Sequence, residues 1–272
     1  MNMKKATKIV VIAVAVLFVG AVVAGVLNAL LADGQWSFGW NQYQYDDSQF
    51  HIGGATVPSS KLSQIEVDWL GGSVDIQPCQ DAFLSLSEYS DQELTEDGKL
   101  RWYVSEDGKA LTVKYRASSS FFGNSGNGEK RLVLRVPERL YGQLKSFKIS
   151  TKTASVTVGA IAVQQLSVNS RAGAITLNYL SCQTLVLGGE NGEQNVLLNS
   201  MPKEITAKTN RGNVRMVFPK DASFALTFSS QRGKSPTVDF PTTQQNGVYL
   251  CGTGSCKITA QSHRGTFVIT YP

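Results

Sequence analysis

Residues 166–177 read LSVNSRAGAITL. Two apolar residues, Leu166 and Val168, flank one polar residue; a polar turn with Gly173 follows, and a second apolar pair closes the stretch. A spacing of two is the period of a β-strand, so both residues of a pair point to the same side. The stretch therefore predicts two short strands joined by a turn.

The same pattern recurs through residues 147–269. From Phe147 to Leu226 the copies begin 19, 19, 20 and 21 residues apart. A fixed period near twenty is typical of stacked repeat architectures. The apolar pairs are Ile65/Val67, Val74/Ile76, Phe147/Ile149, Val156/Val158, Leu166/Val168, Ile175/Leu177, Leu185/Leu187, Val196/Leu198, Ile205/Ala207, Val214/Met216, Leu226/Phe228, Val238/Phe240, Ile258/Ala260 and Phe267/Ile269.

Stacked copies would pair about 4.8 Å apart and enclose a continuous apolar column. The sequence therefore predicts an all-β fold, a single-stranded, right-handed parallel β-solenoid of the β-helix type. The turn glycines would provide positive φ or close backbone approach. An antiparallel sandwich of short strands is the alternative, because it also alternates with frequent turns.

The segment between the first copy and the main array predicts N-terminal β-hairpins. Two EDGK turns, at 96–99 and 106–109, mark them, and the second separates candidate strands 100–105 and 110–115. Residues 118–128 predict an exposed loop, and residues 132–136 a further strand.

The N-terminal part of the chain predicts a membrane anchor. Residues 9–32 carry no charge and follow three lysines, and as a helix they would span about 36 Å, enough for a bilayer core. The lysines keep the N-terminus in the cytoplasm. We predict a single-pass protein of the cell membrane, and a cleaved secretory signal is the alternative. The predicted parts are a cytoplasmic segment (1–8), a transmembrane helix (9–32), a juxtamembrane stalk (33–60) and an extracellular β-strand-repeat domain (61–272).

The charge balance argues against nucleic acid as a partner. The chain has a net charge of +5, and without its three leading lysines it has 23 basic and 21 acidic residues. A chain this balanced lacks the overall basic excess that is typical of nucleic-acid-binding proteins.

The cysteines suggest one disulfide and no metal. Cys251 and Cys256 flank a GTGS turn, so a disulfide between them is a candidate outside the membrane, with free thiols as the alternative. Adding His263 gives three potential zinc ligands without a fourth, at unsuitable spacing. We predict no metal and no cofactor.

Catalytic motifs are also weak. Asp68 and Asp75 would both face outward on the first coil, and a paired-carboxylate mechanism makes a polysaccharide-active β-helix enzyme the alternative hypothesis. Gly233-Lys234-Ser235 imitates the end of a phosphate-binding loop, but Phe228 occupies the position of the required glycine. We therefore predict a protein that is not an enzyme.

One charged feature recurs with the repeat. Arg211, Arg232 and Arg264 directly precede a turn glycine, and Arg171 lies one place earlier. Stacking would align them along one edge, where guanidinium forks could bind anionic envelope polymers or lipid head groups. The alternative is a set of solvated turn arginines, screened by neighbouring glutamates.

Three segments resemble the bacterial "putative adhesin" family of β-strand-repeat proteins, which includes LiaG-like envelope-stress proteins. They are IEVDWLGGSVDI at 65–76, LVLRVP at 132–137 and VNSRAGAI at 168–175. The resemblance covers residues 62–272 and implies an envelope-associated surface protein without known catalytic residues. We expect a binding, scaffolding or adhesin-like module whose partners are cell-envelope components or surface proteins.

Overall fold

The computed structural model describes residues 45–117 and 129–272. These residues form 21 β-strands and two short 3-10 helices, at Glu96–Gly98 and Glu138–Leu140. Two sheets, linked by one strand that runs through both, enclose a single apolar core. The predicted all-β fold is confirmed.

Sheet A contains twelve of the described strands. In order along the stack they are β1 (His51–Ile52), β6 (Arg101–Val104), β7 (Ala110–Lys114), β3 (Gln64–Trp69), β9 (Ser146–Thr151), β11 (Ala162–Ser170), the end of β12 (Ile175–Gly189), β14 (Glu204–Thr209), β20 (Cys256–Ser262), β16 (Phe224–Ser230), β19 (Val248–Cys251) and β18 (Thr243–Gln245).

Sheet B contains ten of them, including the start of β12. In order along the stack they are β2 (Ala55–Val57), β5 (Leu84–Ser90), β8 (Lys130–Pro137), β4 (Ser73–Cys79), β10 (Ser155–Val158), β12, β13 (Gln194–Leu198), β15 (Val214–Val217), β21 (Phe267–Thr270) and β17 (Thr237–Val238).

Each coil of the solenoid contributes one strand to each sheet, and the seven coils of the predicted repeat stack in parallel, with β7 and β8 as a further parallel layer beside coil 1. Leu166, for example, lies opposite Phe147 on one side and Leu185 on the other. The predicted apolar pairs are buried, apart from the partly buried Phe228 and Val238. Parallel stacking is thus confirmed, and the hand of the coils stays a prediction. The coils are 1 (β3, β4), 2 (β9, β10), 3 (β11, start of β12), 4 (end of β12, β13), 5 (β14, β15), 6 (β20, β21) and 7 (β16, β17).

The last two coils do not stack in their sequence order. Ile258 of β20 lies opposite Ile205 of β14 on one side and Leu226 of β16 on the other. The C-terminal coil 6 is therefore inserted between coils 5 and 7. β19 pairs with the outer edge of β16, and β20 pairs with its inner edge.

At the N-terminal end β7 and β8 pair in parallel with β3 and β4 of coil 1, and antiparallel strands extend the stack beyond them and beyond coil 7. The hairpin predicted around residues 106–109 is confirmed as β6–β7, and the strand predicted at 132–136 is part of β8. The hairpin predicted at residues 96–99 is wrong. The segment there is a 3-10 helix that connects β5 in sheet B with β6 in sheet A, so the strands on its two sides do not pair.

The domain begins before residue 61. Within the predicted stalk, β1 pairs with β6 and β2 with β5, and the Tyr45 hydroxyl donates to the Tyr115 carbonyl oxygen at 3.3 Å. The predicted cytoplasmic segment (1–8), membrane helix (9–32) and loop (118–128) lie outside the described residues. Over the ranges that the structure describes, no helix has the length and apolar character needed to cross a membrane.

Candidate anion-binding edge

One edge of the solenoid consists of the turns that lead from sheet A to sheet B. Gly173, Gly192, Gly212 and Gly265 occupy equivalent positions in coils 3 to 6. A Cβ on Gly212 would lie 1.9 Å from the Gly192 carbonyl oxygen, and a Cβ on Gly265 would lie 1.9 Å from that of Gly212. Only glycine leaves room for this backbone contact. The glycines of the repeat thus hold successive turns in a column.

Side-chain hydrogen bonds fix the turns further. The buried Thr209 hydroxyl donates to the Gly212 carbonyl oxygen at 3.0 Å, and Ser262 makes the equivalent bond in coil 6 at 2.9 Å. Between coils 5 and 6, Asn213 Oδ1 accepts from the backbone N–H of Thr266 at 3.0 Å and from its hydroxyl at 2.8 Å. The turns of these two coils are therefore locked to each other.

Arg211 and Arg264 occupy the position directly before the stacked glycine in coils 5 and 6. The Arg264 backbone N–H donates to the Asn210 carbonyl oxygen in the adjacent turn at 2.7 Å. Neighbouring strands lie about 4.8 Å apart, so the two arginines follow one another along the edge at this spacing. Both side chains are exposed.

The turn of coil 7 bulges outward but stays on the same edge. Gly233 has a φ of +66°, and a Cβ there would meet no atom within 4 Å. Arg232 precedes it and is exposed. Lys234 Nζ donates to the Arg264 carbonyl oxygen at 3.3 Å, which places a fourth cation beside coil 6. We call Arg211, Arg264, Arg232 and Lys234 the basic edge.

The structure separates Arg171 from the other three predicted arginines. It lies in coil 3, and its Nε is 3.1 Å from Oε2 of Glu190 in coil 4. Lys234, in contrast, was not among the predicted site residues. The sequence feature that could have identified Lys234 is its position directly after a turn glycine. Its contact with Arg264, however, exists only because coils 6 and 7 are neighbours.

The predicted disulfide between Cys251 and Cys256 is wrong, because both cysteines are free. Both are pairing partners of Phe224, Cys251 on one side in β19 and Cys256 on the other in β20. With β16 between them, their Cα atoms are about 9.5 Å apart, and a disulfide needs less than about 7 Å. Burial raises the pKa of the Cys256 thiol to about 12, so it is protonated and unreactive at neutral pH.

The zinc ligands considered from the sequence are also apart. His263 follows the end of β20, whereas Cys256 begins that strand. Among residues 45–117 and 129–272, no group of three or more His, Cys, Asp or Glu side chains could hold a metal ion.

The carboxylates of the enzymatic hypothesis do not face each other. Asp68 belongs to β3 in sheet A and Asp75 to β4 in sheet B, and each alternates with residues that point into the core. Asp75 forms an ion pair with Arg131 at 2.5 Å. A glycosidase needs two carboxyl groups about 5–9.5 Å apart on either side of one bond. Two side chains that point outward from different sheets do not provide this arrangement.

Comparisons with known proteins agree with this architecture. Residues 141–270, which include coils 2 to 7 and the basic edge, match the model of the family described as Toastrack DUF4097. A solved "putative cell adhesion protein" from Clostridium sporogenes is similar in fold, with a TM-score of 0.52 and 10% identity, over 82% of this chain and 100% of that chain. A "putative adhesin" from Bacteroides fragilis gives a TM-score of 0.41 and 12% identity, over 82% of this chain and 97% of that chain.

No curated protein shows significant similarity to the chain. At 10% identity the similarity to the Clostridium structure supports the fold alone. The resemblance to adhesin-family β-strand-repeat proteins inferred from the sequence is confirmed, and residues 141–270 are similar to the Toastrack DUF4097 family.

Proposed function

We propose that this chain is a membrane-anchored protein of the bacterial cell envelope and that its solenoid is a non-catalytic, adhesin-like binding module. Residues 9–32 anchor the chain, with residues 1–8 in the cytoplasm and the solenoid outside the cell. An association with the envelope-stress response is part of the proposal, because the sequence resembles LiaG-like proteins.

The observation that carries the proposal is the register of the seven coils. Because each strand pairs with equivalent residues of its neighbours, side chains of successive coils form columns on the outside, such as Thr157, Thr176 and Asn195 in sheet B. Solenoids use such extended surfaces for binding. The description of the similar Clostridium protein as a cell adhesion protein supports the same class of function.

The location is tested by labelling intact cells that express the full chain with a membrane-impermeant amine reagent. We expect label on exposed solenoid lysines such as Lys220, and the chain in the membrane fraction. Deletion of residues 9–32 should remove it from that fraction. Label that appears only after lysis would contradict the proposed location.

Binding is tested by co-sedimentation of the full chain, in non-ionic micelles, with isolated envelopes of its host. Saturable co-sedimentation is expected, without consumption or cleavage of envelope glycans. Absence of co-sedimentation would contradict the binding function, and release of glycan fragments would contradict its non-catalytic character.

A further inference from the structure

We propose that the basic edge binds a linear polyanion that carries phosphate groups along its length. This inference rests on the proposed surface-binding function and specifies the class of ligand. The turns of coils 5, 6 and 7 comprise residues 210–213, 263–266 and 231–235. They contain the four cations of the basic edge and His263, and no aspartate or glutamate.

The same edge has a different charge pattern in coils 3 and 4. There Arg171 is paired with Glu190, and Glu193 adds a second acidic residue to the turn of coil 4. Turns at this edge can therefore carry acidic residues that compensate the arginine charge, but the turns of coils 5 to 7 carry none. Like charges in neighbouring turns repel, which costs folding free energy. A bound phosphate chain would remove this repulsion.

The turn geometry suits a linear ligand. Stacked backbones and the contacts of Asn213 with Thr266 hold the Arg211 and Arg264 backbones in place. Each coil contributes about one arginine, and successive coils follow the stack at about 4.8 Å. A chain lying along the edge therefore meets one guanidinium after another. Planar guanidinium forks bind phosphate oxygens in a bidentate manner, which a lysine does not.

A lipid surface fits the same residues less well. Proteins that bind bilayer surfaces combine basic residues with apolar side chains that insert below the head groups. Among the described residues, the exposed large apolar side chains lie outside these three turns; they are Ile52, Phe83, Tyr89, Tyr179 and Tyr271. The basic edge is a row of cations without an apolar border, which favours a soluble polymer.

The test uses the full chain in non-ionic micelles and long-chain inorganic polyphosphate as the probe. The test variant is Arg211→Gln/Arg232→Gln/Arg264→Gln. The matched control is Lys61→Gln/Arg135→Gln/Lys145→Gln, which removes the same charge from exposed positions outside the edge. Affinity is measured at several salt concentrations, and thermal unfolding verifies that both variants are folded.

We expect the test variant to bind polyphosphate at least about 10-fold more weakly and to reduce the slope of log affinity against log salt by about 2, as for the loss of three contacts to a flexible polyanion. The control should change affinity less than about twofold. Replacing the three arginines by lysine should give an intermediate loss, because charge is kept and the fork is lost.

Three results of these binding measurements would overturn the proposal. Equal losses in the test and control variants would indicate diffuse attraction rather than a site. Equally tight binding of poly-glutamate would remove the preference for phosphate. Arginine-dependent binding to anionic vesicles without binding to polyphosphate would assign the edge to a membrane surface. Envelope co-sedimentation distinguishes failure of the polyanion-binding edge from failure of the proposed binding function. If the test variant still co-sediments like the wild type, this inference fails and the proposed function stands; if the wild type does not co-sediment, the function itself fails.

Discussion

Buried charges close the N-terminal end of the solenoid, whereas aromatic rings close its C-terminal end. Lys130 is 1% exposed, and its Nζ lies 3.1 Å from Oε1 of Glu88, donates to the Arg116 carbonyl oxygen at 3.0 Å and lies 4.3 Å from the ring centre of Tyr115. Burial lowers the pKa of Lys130, and the nearby Glu88 opposes this shift. At this end a second buried cation, Arg101, donates to Asp47.

At the C-terminal end the core is covered by rings. Phe224 and Phe240 meet edge to face with centroids 5.5 Å apart, Phe218 and Phe224 are 5.7 Å apart, and Tyr271 lies 5.3 Å from Phe240. Such contacts add modest directional energy to a large apolar burial. The stability of this end therefore depends mainly on the apolar surface area that it buries.

The two ends of the solenoid should differ in how well they tolerate substitutions. A buried charge is costly to desolvate and stabilises the fold only with its partner in place. An aromatic cluster retains most of its energy when one ring is replaced by an apolar side chain of similar volume. We expect the N-terminal end to fail after single substitutions that the C-terminal end accepts.

The largest expected effect is that of Lys130→Met. This substitution leaves Glu88 buried without its cation, and we expect it to lower the free energy of unfolding by about 3–5 kcal/mol. Urea unfolding of the full chain in micelles measures the loss. Hydrogen exchange should place it in β5 and β8 rather than in β16 and β19.

The double variant Lys130→Met/Glu88→Gln serves as the control. Glutamine keeps an acceptor for the Leu100 backbone N–H, which donates to Glu88 Oε2 at 2.7 Å, and removes the uncompensated charge. At least about 1 kcal/mol of the loss should return. A double variant as unstable as the single one would show that the lost packing of Lys130, and not the charge, is responsible.

A smaller effect is expected for Phe240→Ala at the other end. Phe240 is 5% exposed, and its removal should cost about 3 kcal/mol, at the lower end of the range for buried phenylalanine because the gap lies near solvent. Phe240→Leu should cost less than about 1.5 kcal/mol. The matched control is Phe83→Ala, because Phe83 is 52% exposed and its loss should change stability by less than about 0.5 kcal/mol. A leucine variant as damaging as the alanine variant would contradict the tolerance argued for this end.

The repeating strands of the fold could be predicted from the sequence, but the order in which the coils stack could not. Apolar pairs such as Leu185/Leu187 recur at the strand period, and their common burial follows directly from that period. The order of coils 6 and 7 could not be predicted, because each copy offers the same apolar pattern to any neighbour. In the structure β19 occupies one edge of β16 and β20 occupies the other, an arrangement that the apolar pattern does not encode.

The candidate site, too, could be predicted from the sequence only in part. The arginines before Gly212 and Gly265 were visible in the sequence, and their alignment follows from the repeat. The ion pair of Arg171 with Glu190 and the contact of Lys234 with Arg264 depend on which turns are adjacent. The disulfide prediction failed for this reason too, because a strand distant in sequence separates the two cysteines.

The smallest effect, loosening of the N-terminal end alone, is expected in mild acid. The hydrogen bond from Arg101 holds the pKa of Asp47 below its ordinary value of 3.8. A carboxylate with a depressed folded pKa stabilises the fold above its ordinary pKa, and this contribution is lost as the pH falls from about 4 through the lower folded value. The side chain of Asp47 is 27% exposed, so the loss should be under about 1 kcal/mol, as for other partly exposed ion pairs.

Hydrogen exchange between about pH 5 and about pH 3, corrected for intrinsic rates, measures this effect because it reports local opening. Opening of β1 and β6 should become more frequent relative to β16 and β19, which serve as the internal reference. In Asp47→Asn the two ends should respond alike, with β1 and β6 already loosened at the higher pH. The carbonyl oxygens of Glu96 and Lys99 still accept from Arg101 after Asp47 is protonated, which is why loosening and not unfolding is expected. Equal acceleration at both ends of the wild type would instead assign the acid response to the whole solenoid, and the contrast between charged and aromatic ends would then have no consequence in this pH range.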